Sequence, residues 1–149
     1  MTEPPSHPQA SVAAWWECVA EDLASMARDL QEPPLVHDIC FHAQQAVEKA
    51  IKAYMVALGA AKIPHTHNLL FLAEAVTSLG GAVLARIDLA DLNRFSVEPR
   101  YAQRPKIESE EARRLARIAV GMVALIERLI GELQASDDAG DESPEQRER

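Results

Sequence analysis

Apolar residues in this chain recur at steps of three and four. Val12, Trp15, Trp16, Val19, Leu23, Met26 and Leu30 form one such stripe, and Leu115, Ile118, Met122, Leu125, Ile126, Leu129 and Leu133 form another. That spacing follows the α-helical turn and puts each set on one side of a helix. No run of alternating β-branched residues occurs, and no internal repeat. A sheet therefore has no segments to be built from, and the chain is expected to be all-α.

Local signals mark where the helices begin and end. Ser11 is the expected N-cap of a first helix reaching Gln31, and Pro33-Pro34 stop it and start the next. A second helix is expected over about Leu35 to Leu58, closed by Gly59. A third runs from an N-cap at Thr66 to Gly80-Gly81. A shorter fourth covers about Val83 to Asn93. The irregular segment RFSVEPRYAQRPKIE follows, and a last helix runs from Ser109 to about Leu133. Three long and two shorter helices joined by short turns predict an antiparallel up-down helical bundle. At 149 residues the chain is expected to hold one such domain, residues 11–134. The Pro-rich residues 1–10 and the acidic residues 135–149 are expected to be disordered flanks.

Composition excludes several roles. The net charge is −8, against the basic footprint of a general nucleic-acid or anionic-membrane binder. Charges interrupt every apolar run well short of the roughly 18 residues that span a bilayer. MTEPPSHPQA has neither the basic nor the apolar part of a secretory signal. Cys18 and Cys40 are too few for a disulfide framework and read as small hydrophobes, so a cytoplasmic protein is expected.

The second helix, CFHAQQAVEKAIKAYMVALG from Cys40 to Gly59, carries polar groups inside a strongly apolar segment. At about 100° per residue, Ile39, Cys40, Ala43, Ala46, Val47, Ala50, Ile51, Tyr54, Ala57 and Leu58 share one broad face. Gln44, Glu48 and Met55 lie along one flank, and Asp38, His42 and Lys49 along the other. Phe41, Gln45 and Lys52 lie nearly opposite the main face. The mixture fits two readings: a bundle helix with a half-exposed polar side, or a central helix buried twice, with Phe41, Gln44, Gln45, Glu48 and Lys52 in a polar cleft or a dimer seam. Buried amides need hydrogen-bond partners, and a buried Glu48 or Lys49 needs a countercharge. The arginines near the last helix, or a two-fold mate, are the expected source.

These residues resemble a known family. AQQAVEKAIKAYMVALG is similar to the signature helix of HEPN domains. Pro64-His65-Thr66-His67-Asn68-Leu69-Leu70 is similar to the family's Thr-His-Asp-Leu at the start of its third helix. FSVEPRY, Phe95 to Tyr101, is similar to its aromatic-then-Arg-Tyr-Pro stretch, with Ala102 where Pro is usual. The resemblance spans roughly residues 12 to 134. It implies an up-down bundle that commonly dimerises. Some HEPN domains are metal-independent ribonucleases with an Arg, four to six residues, then His. No such spacing exists here: the histidines are His7, His37, His42, His65 and His67, and Arg28 lies nine positions before His37. Others are encoded beside a small nucleotidyltransferase and form a two-component complex with it. The resemblance therefore points to a non-catalytic, dimeric protein that binds a nucleotide or a partner nucleotidyltransferase, in a toxin–antitoxin-like setting. Two alternatives stand beside it. One is a ribonuclease toxin with a non-standard site, such as Arg100 with His42 or His67, with RNA as substrate. The other is a structural dimerisation module.

Charge supplies a candidate phosphate site. Between Arg94 and Arg117 there are seven cations and four acids, in a chain whose net charge is −8. Arg113 and Arg117 are four apart and share a face in the first turns of the last helix, whose N-terminus favours anions. Arg100, Tyr101, Arg104, Arg113 and Arg117 are the expected nucleotide or phosphate contacts; the bland reading pairs these arginines with Glu110 and Glu111 on a solvated face. His65-Thr66-His67 lacks the further ligands of a zinc site, and His67 is instead expected to hydrogen-bond into the bundle. No metal and no cofactor are expected.

Overall fold

A computed structural model describes residues 9–96 and 106–140. Arg100, Tyr101 and Arg104 lie outside the described residues, as do residues 1–8 and 141–149. Among the described residues the protein is all-helical. Its elements are α1 (Val12–Asp29), α2 (Val36–Ala57), α3 (Leu69–Ser78), α4 (Arg86–Asn93) and α5 (Ser109–Gly140). The three long helices make a bundle with α2 at its centre; α1 runs antiparallel to α2, with Trp15 beside Lys52 and Asp22 beside His42, and antiparallel to α5, with Trp16 beside Ile130 and Met26 beside Arg113, so α2 and α5 run the same way. α1 and α5 both pack along α2 and meet each other only marginally, while α3 and α4 close the remaining side.

The ends of these helices follow local chemistry. Ser11 caps α1, its hydroxyl accepting from the Ala14 N–H at 3.1 Å. Gly59 (φ +85°) and Gly80 (φ +86°) sit just past α2 and α3 in the left-handed region that favours glycine. Each forms the double bond of a Schellman end: Ala60 N to Met55 O and Gly59 N to Val56 O after α2, Gly81 N to Val76 O and Gly80 N to Thr77 O after α3. Gly81 is required for a different reason. A Cβ there would come within 2.6 Å of Val76 Cγ1 and 2.7 Å of Leu58 Cδ1.

Three boundaries differ from the sequence expectation. α3 is capped by Asn68 rather than Thr66. The Asn68 side chain accepts from the N–H groups of Leu70 and Phe71, and Thr66 accepts only from Asn68 N, two residues too early. α4 starts at Arg86, because its N-cap Ala85 is extended; before it Leu84 is buried in the core while Val83 stays exposed. α5 continues through residues 135–140, past its expected end near Leu133. These residues are exposed. An apolar stripe reports packing, so it stops at Leu133 even though the backbone hydrogen bonding goes on.

α2 is enclosed on almost every side. Ile39, Cys40, Ala43, Ala46, Val47, Ala50, Ile51 and Tyr54 are buried as the broad apolar face, and Ala57 and Leu58 pack partly against the core. Gln44, Glu48, Lys52 and Met55 are buried too. The alanines let α1 and α5 approach closely. The second packed surface of this helix is thus supplied by the same chain.

Replacing Asn68 by Ala should cost about 1–2 kcal/mol, the usual loss of an N-cap, and more than Thr66→Ala. Urea unfolding of the two variants checks the order; equal losses would move the cap back to Thr66.

Candidate functional site

Two polar clusters lie on α2. The first is built on a stripe at four-residue steps: Gln44, Glu48 and Lys52. Residues four apart stack on one helix face. Glu48 has a side chain only 4% exposed, and Lys52 only 7%. Lys52 Nζ donates to Glu48 Oε2 at 3.3 Å, and its ammonium lies 5.6 Å from the centre of the Trp15 ring. The other Glu48 oxygen, Oε1, meets Nδ1 of His67 at 2.8 Å. Gln44 Nε2 donates to the His67 carbonyl at 3.0 Å, and Gln44 Oε1 accepts from Gln45 Nε2 at 2.6 Å.

His67 is therefore held twice, by its backbone and by its ring, from two buried side chains of α2. Its own side chain is 65% exposed. A carboxylate oxygen can only accept, so Nδ1 carries the proton in this contact. The neutral ring then presents Nε2 as a bare acceptor, and Nε2 has no partner among the described residues. A buried carboxylate that orients an exposed imidazole leaves one nitrogen to accept a proton from a hydroxyl or, once protonated, to donate to an anion. The ring's position is fixed further by α3 and α4. Leu69 N donates to Asn93 Oδ1 at 2.8 Å, and Asn93 Nδ2 to Asn68 Oδ1 at 3.3 Å.

The second cluster joins α1 to the opposite flank of α2. Asp22 is buried and accepts from Lys49 Nζ through Oδ2, while its Oδ1 meets His42 Nδ1 at 3.0 Å. His42 Nε2 lies 3.9 Å from Asp29, whose carboxyl is pushed up chiefly by burial, with His42 acting the other way. Sequence reasoning placed His42 and Lys49 on one flank but missed Asp22. Its signal was an acid set among Val19, Leu23 and Met26 on the apolar stripe of α1.

The countercharges of α2 thus correct an expectation. Glu48 is answered by Lys52 and His67, and Lys49 by Asp22, not by the arginines near the last helix. Those arginines have acids of their own. Arg113 pairs with Glu32, and Arg114 pairs with Glu111 at 2.7 Å and Asp91 at 3.1 Å. Arg94 reaches Glu111 at 3.5 Å, and Arg117 reaches Glu110 at 3.9 Å. The hydrogen bond from Arg114 holds the Glu111 carboxyl below its usual range. Nearby, burial pushes the Cys40 thiol up to about 12, with Glu111 adding to the shift and Arg94 opposing it, so Cys40 is inert as a nucleophile.

The site residues expected on α2 fall into two groups. Gln44, Glu48 and Lys52 are buried within their own chain. Phe41 and Gln45 are half-buried. Among the described residues no group of His, Cys, Asp and Glu is placed to hold a metal ion, and no helix is long and apolar enough to cross a membrane.

The described residues form a five-helix bundle with a polar stripe along its central helix and a histidine held before its third. The sequence profile of the HEPN domain matches residues 12–129. The chain belongs to the HEPN domain family. No curated protein and no solved structure matched it.

Glu48→Ala strips a buried ammonium of its partner and should cost about 3–5 kcal/mol, whereas Glu48→Leu with Lys52→Met removes both charges and should recover most of that loss. Chemical unfolding of the single and double variants reads the difference; a double variant as unstable as Glu48→Ala would mean that the pair does not act as a unit.

Proposed function

We propose that this HEPN domain is a non-catalytic recognition module that binds a nucleotide, alone or as presented by a partner nucleotidyltransferase. The observation that carries this reading is the anchored His67. Its exposed Nε2 stands on a stretch, Gly59 to Ala73, that holds Lys62 and His65 but no acid, in a chain of net charge −8. An anion approaching there meets no carboxylate on the surface of this stretch, and a protonated Nε2 donates to a phosphate oxygen. The arginines Arg113 and Arg117 are a weaker second contact, because each already has an acid within reach. The lack of an Arg-x4–6-His spacing speaks against the usual HEPN ribonuclease chemistry.

One observation favours a second reading. A neutral His67 with Nδ1–H on Glu48 has the tautomer of a general base, as a ribonuclease with a non-standard site would require. The two readings part on simple assays.

Thermal-shift titration with ATP, GTP and AMP should give a saturable rise. At about 100-fold excess over Kd it amounts to about 2.7 kcal/mol, or roughly 5–10 °C for a domain of this size. The rise should be lost in His67→Ala and kept largely in Arg113→Ala. A cooperative melt that no nucleotide moves would reject the nucleotide reading. RNA cleavage abolished by His67→Ala would replace it with the second.

A further inference from the structure

We infer that the apolar cavity at one end of the groove between α1 and α5 is a binding site for a small alkyl carboxylate, its chain in the cavity and its head on Arg113 and Arg117. This goes beyond the nucleotide reading and makes no use of His67.

α1 and α5 both lie on α2 and barely touch each other, so a groove stays open between them. Where the end of α1, at Leu30, faces the first turns of α5, the groove deepens into a cavity of about 410 Å³. That volume lies within the span of small-molecule sites, about 300–1,000 Å³. Met26, Leu30, Ala116 and Val120 line it together with Arg113 and Arg117. Ala116 is buried and its side chain ends at Cβ, which leaves the cavity its depth. Val120 is 52% exposed, so apolar surface there lies uncovered.

The lining says which ligand fits. Four of its six residues present only carbon or thioether sulfur from their side chains. A nucleobase or an extended peptide laid on them would give up hydrogen bonds to water and regain none. A hydrocarbon chain gives up none and gains by burial. The polar demand falls on two arginines four residues apart, which share one face of α5. Neither is committed to a buried partner. Arg113 pairs with Glu32, whose side chain is 77% exposed, and Arg117 reaches the 85% exposed Glu110 only at 3.9 Å. Exposed pairs of this kind contribute little and exchange for a carboxylate whose chain is already buried beside them. The guanidinium fork takes that carboxylate through two parallel N–H donors. The cavity at the other end of the groove has the same volume, with Val12, Trp16 and Ile130 as its floor. Its rim carries Glu127 and Gln134 and no cation, so the chain has one site for such an acid and not two.

The test is isothermal titration calorimetry of the full chain with hexanoate, octanoate and decanoate, each below its micelle-forming concentration, and with octanol as the uncharged control. One acid should bind per chain. Affinity should rise about two- to fourfold for each added methylene. Octanol should bind at least tenfold more weakly than octanoate. Arg113→Gln and Arg117→Gln should each weaken octanoate about tenfold and leave octanol unchanged. Both positions lie on the surface of one helix, and a thermal melt of each variant checks that it folds. The inference is overturned by a wild type that binds none of the acids, or binds them only once micelles form. Octanol binding as well as octanoate, an affinity flat along the series, or arginine variants that bind like wild type would overturn it equally. Nucleotide is absent throughout, so the outcome leaves the reading of His67 untouched.

Discussion

α2 is enclosed on almost every side, and this one constraint organises the molecule. A helix enclosed by α1, α5 and α3 leaves its polar groups little access to water. Each of its charged groups must find its answer inside the chain. Glu48 is answered by Lys52 and His67, Lys49 by Asp22, and Gln44 by the His67 carbonyl and Gln45. Unpaired, any of these would cost several kcal/mol. The positions of α1 and of the loop before α3 are therefore tied to α2 by polar bonds as well as by apolar packing. Apolar contact tolerates small slides of one helix along another. A hydrogen bond near 3 Å does not.

The same requirement makes the surface at His67. Burying Glu48 obliges the protein to bring a donor to it, and that donor belongs to an exposed ring. The outcome is an imidazole fixed in place at the edge of an acid-free stretch, with Nε2 outward. The start of α5 is less suited to an anion, for the opposite reason. Its arginines are numerous, but Glu32, Asp91, Glu110 and Glu111 neutralise them within the chain. Cations counted along a sequence overstate a phosphate site unless the acids folded beside them are counted too.

Much of the fold was legible. The helical steps of Val12 to Leu30 and Leu115 to Leu133, the Ser11 cap and Gly59 each report a local rule, and the structure keeps them. Thr66 misled because two capping residues stand two apart, and backbone direction chooses between them. The buried pairing of Glu48 with Lys52 could be guessed from their spacing, and the bonding of His67 into the bundle was expected. That His67 meets Glu48, nineteen residues away, and that Asp22 meets Lys49, twenty-seven away, could not be read. The register of α1 against α2 and the path of the loop after Gly59 decide those contacts.

By itself, then, the sequence determined that the chain is a helical bundle, where most helices begin and end, and which family its second helix belongs to. These follow from periodicity, capping and a motif, all written within a few turns of chain. Only the tertiary structure decided which charges meet, that the polar face of α2 is sealed inside one chain, and that an open groove lies between α1 and α5. Those are questions of distance between segments far apart in sequence, settled by how three long helices share one core.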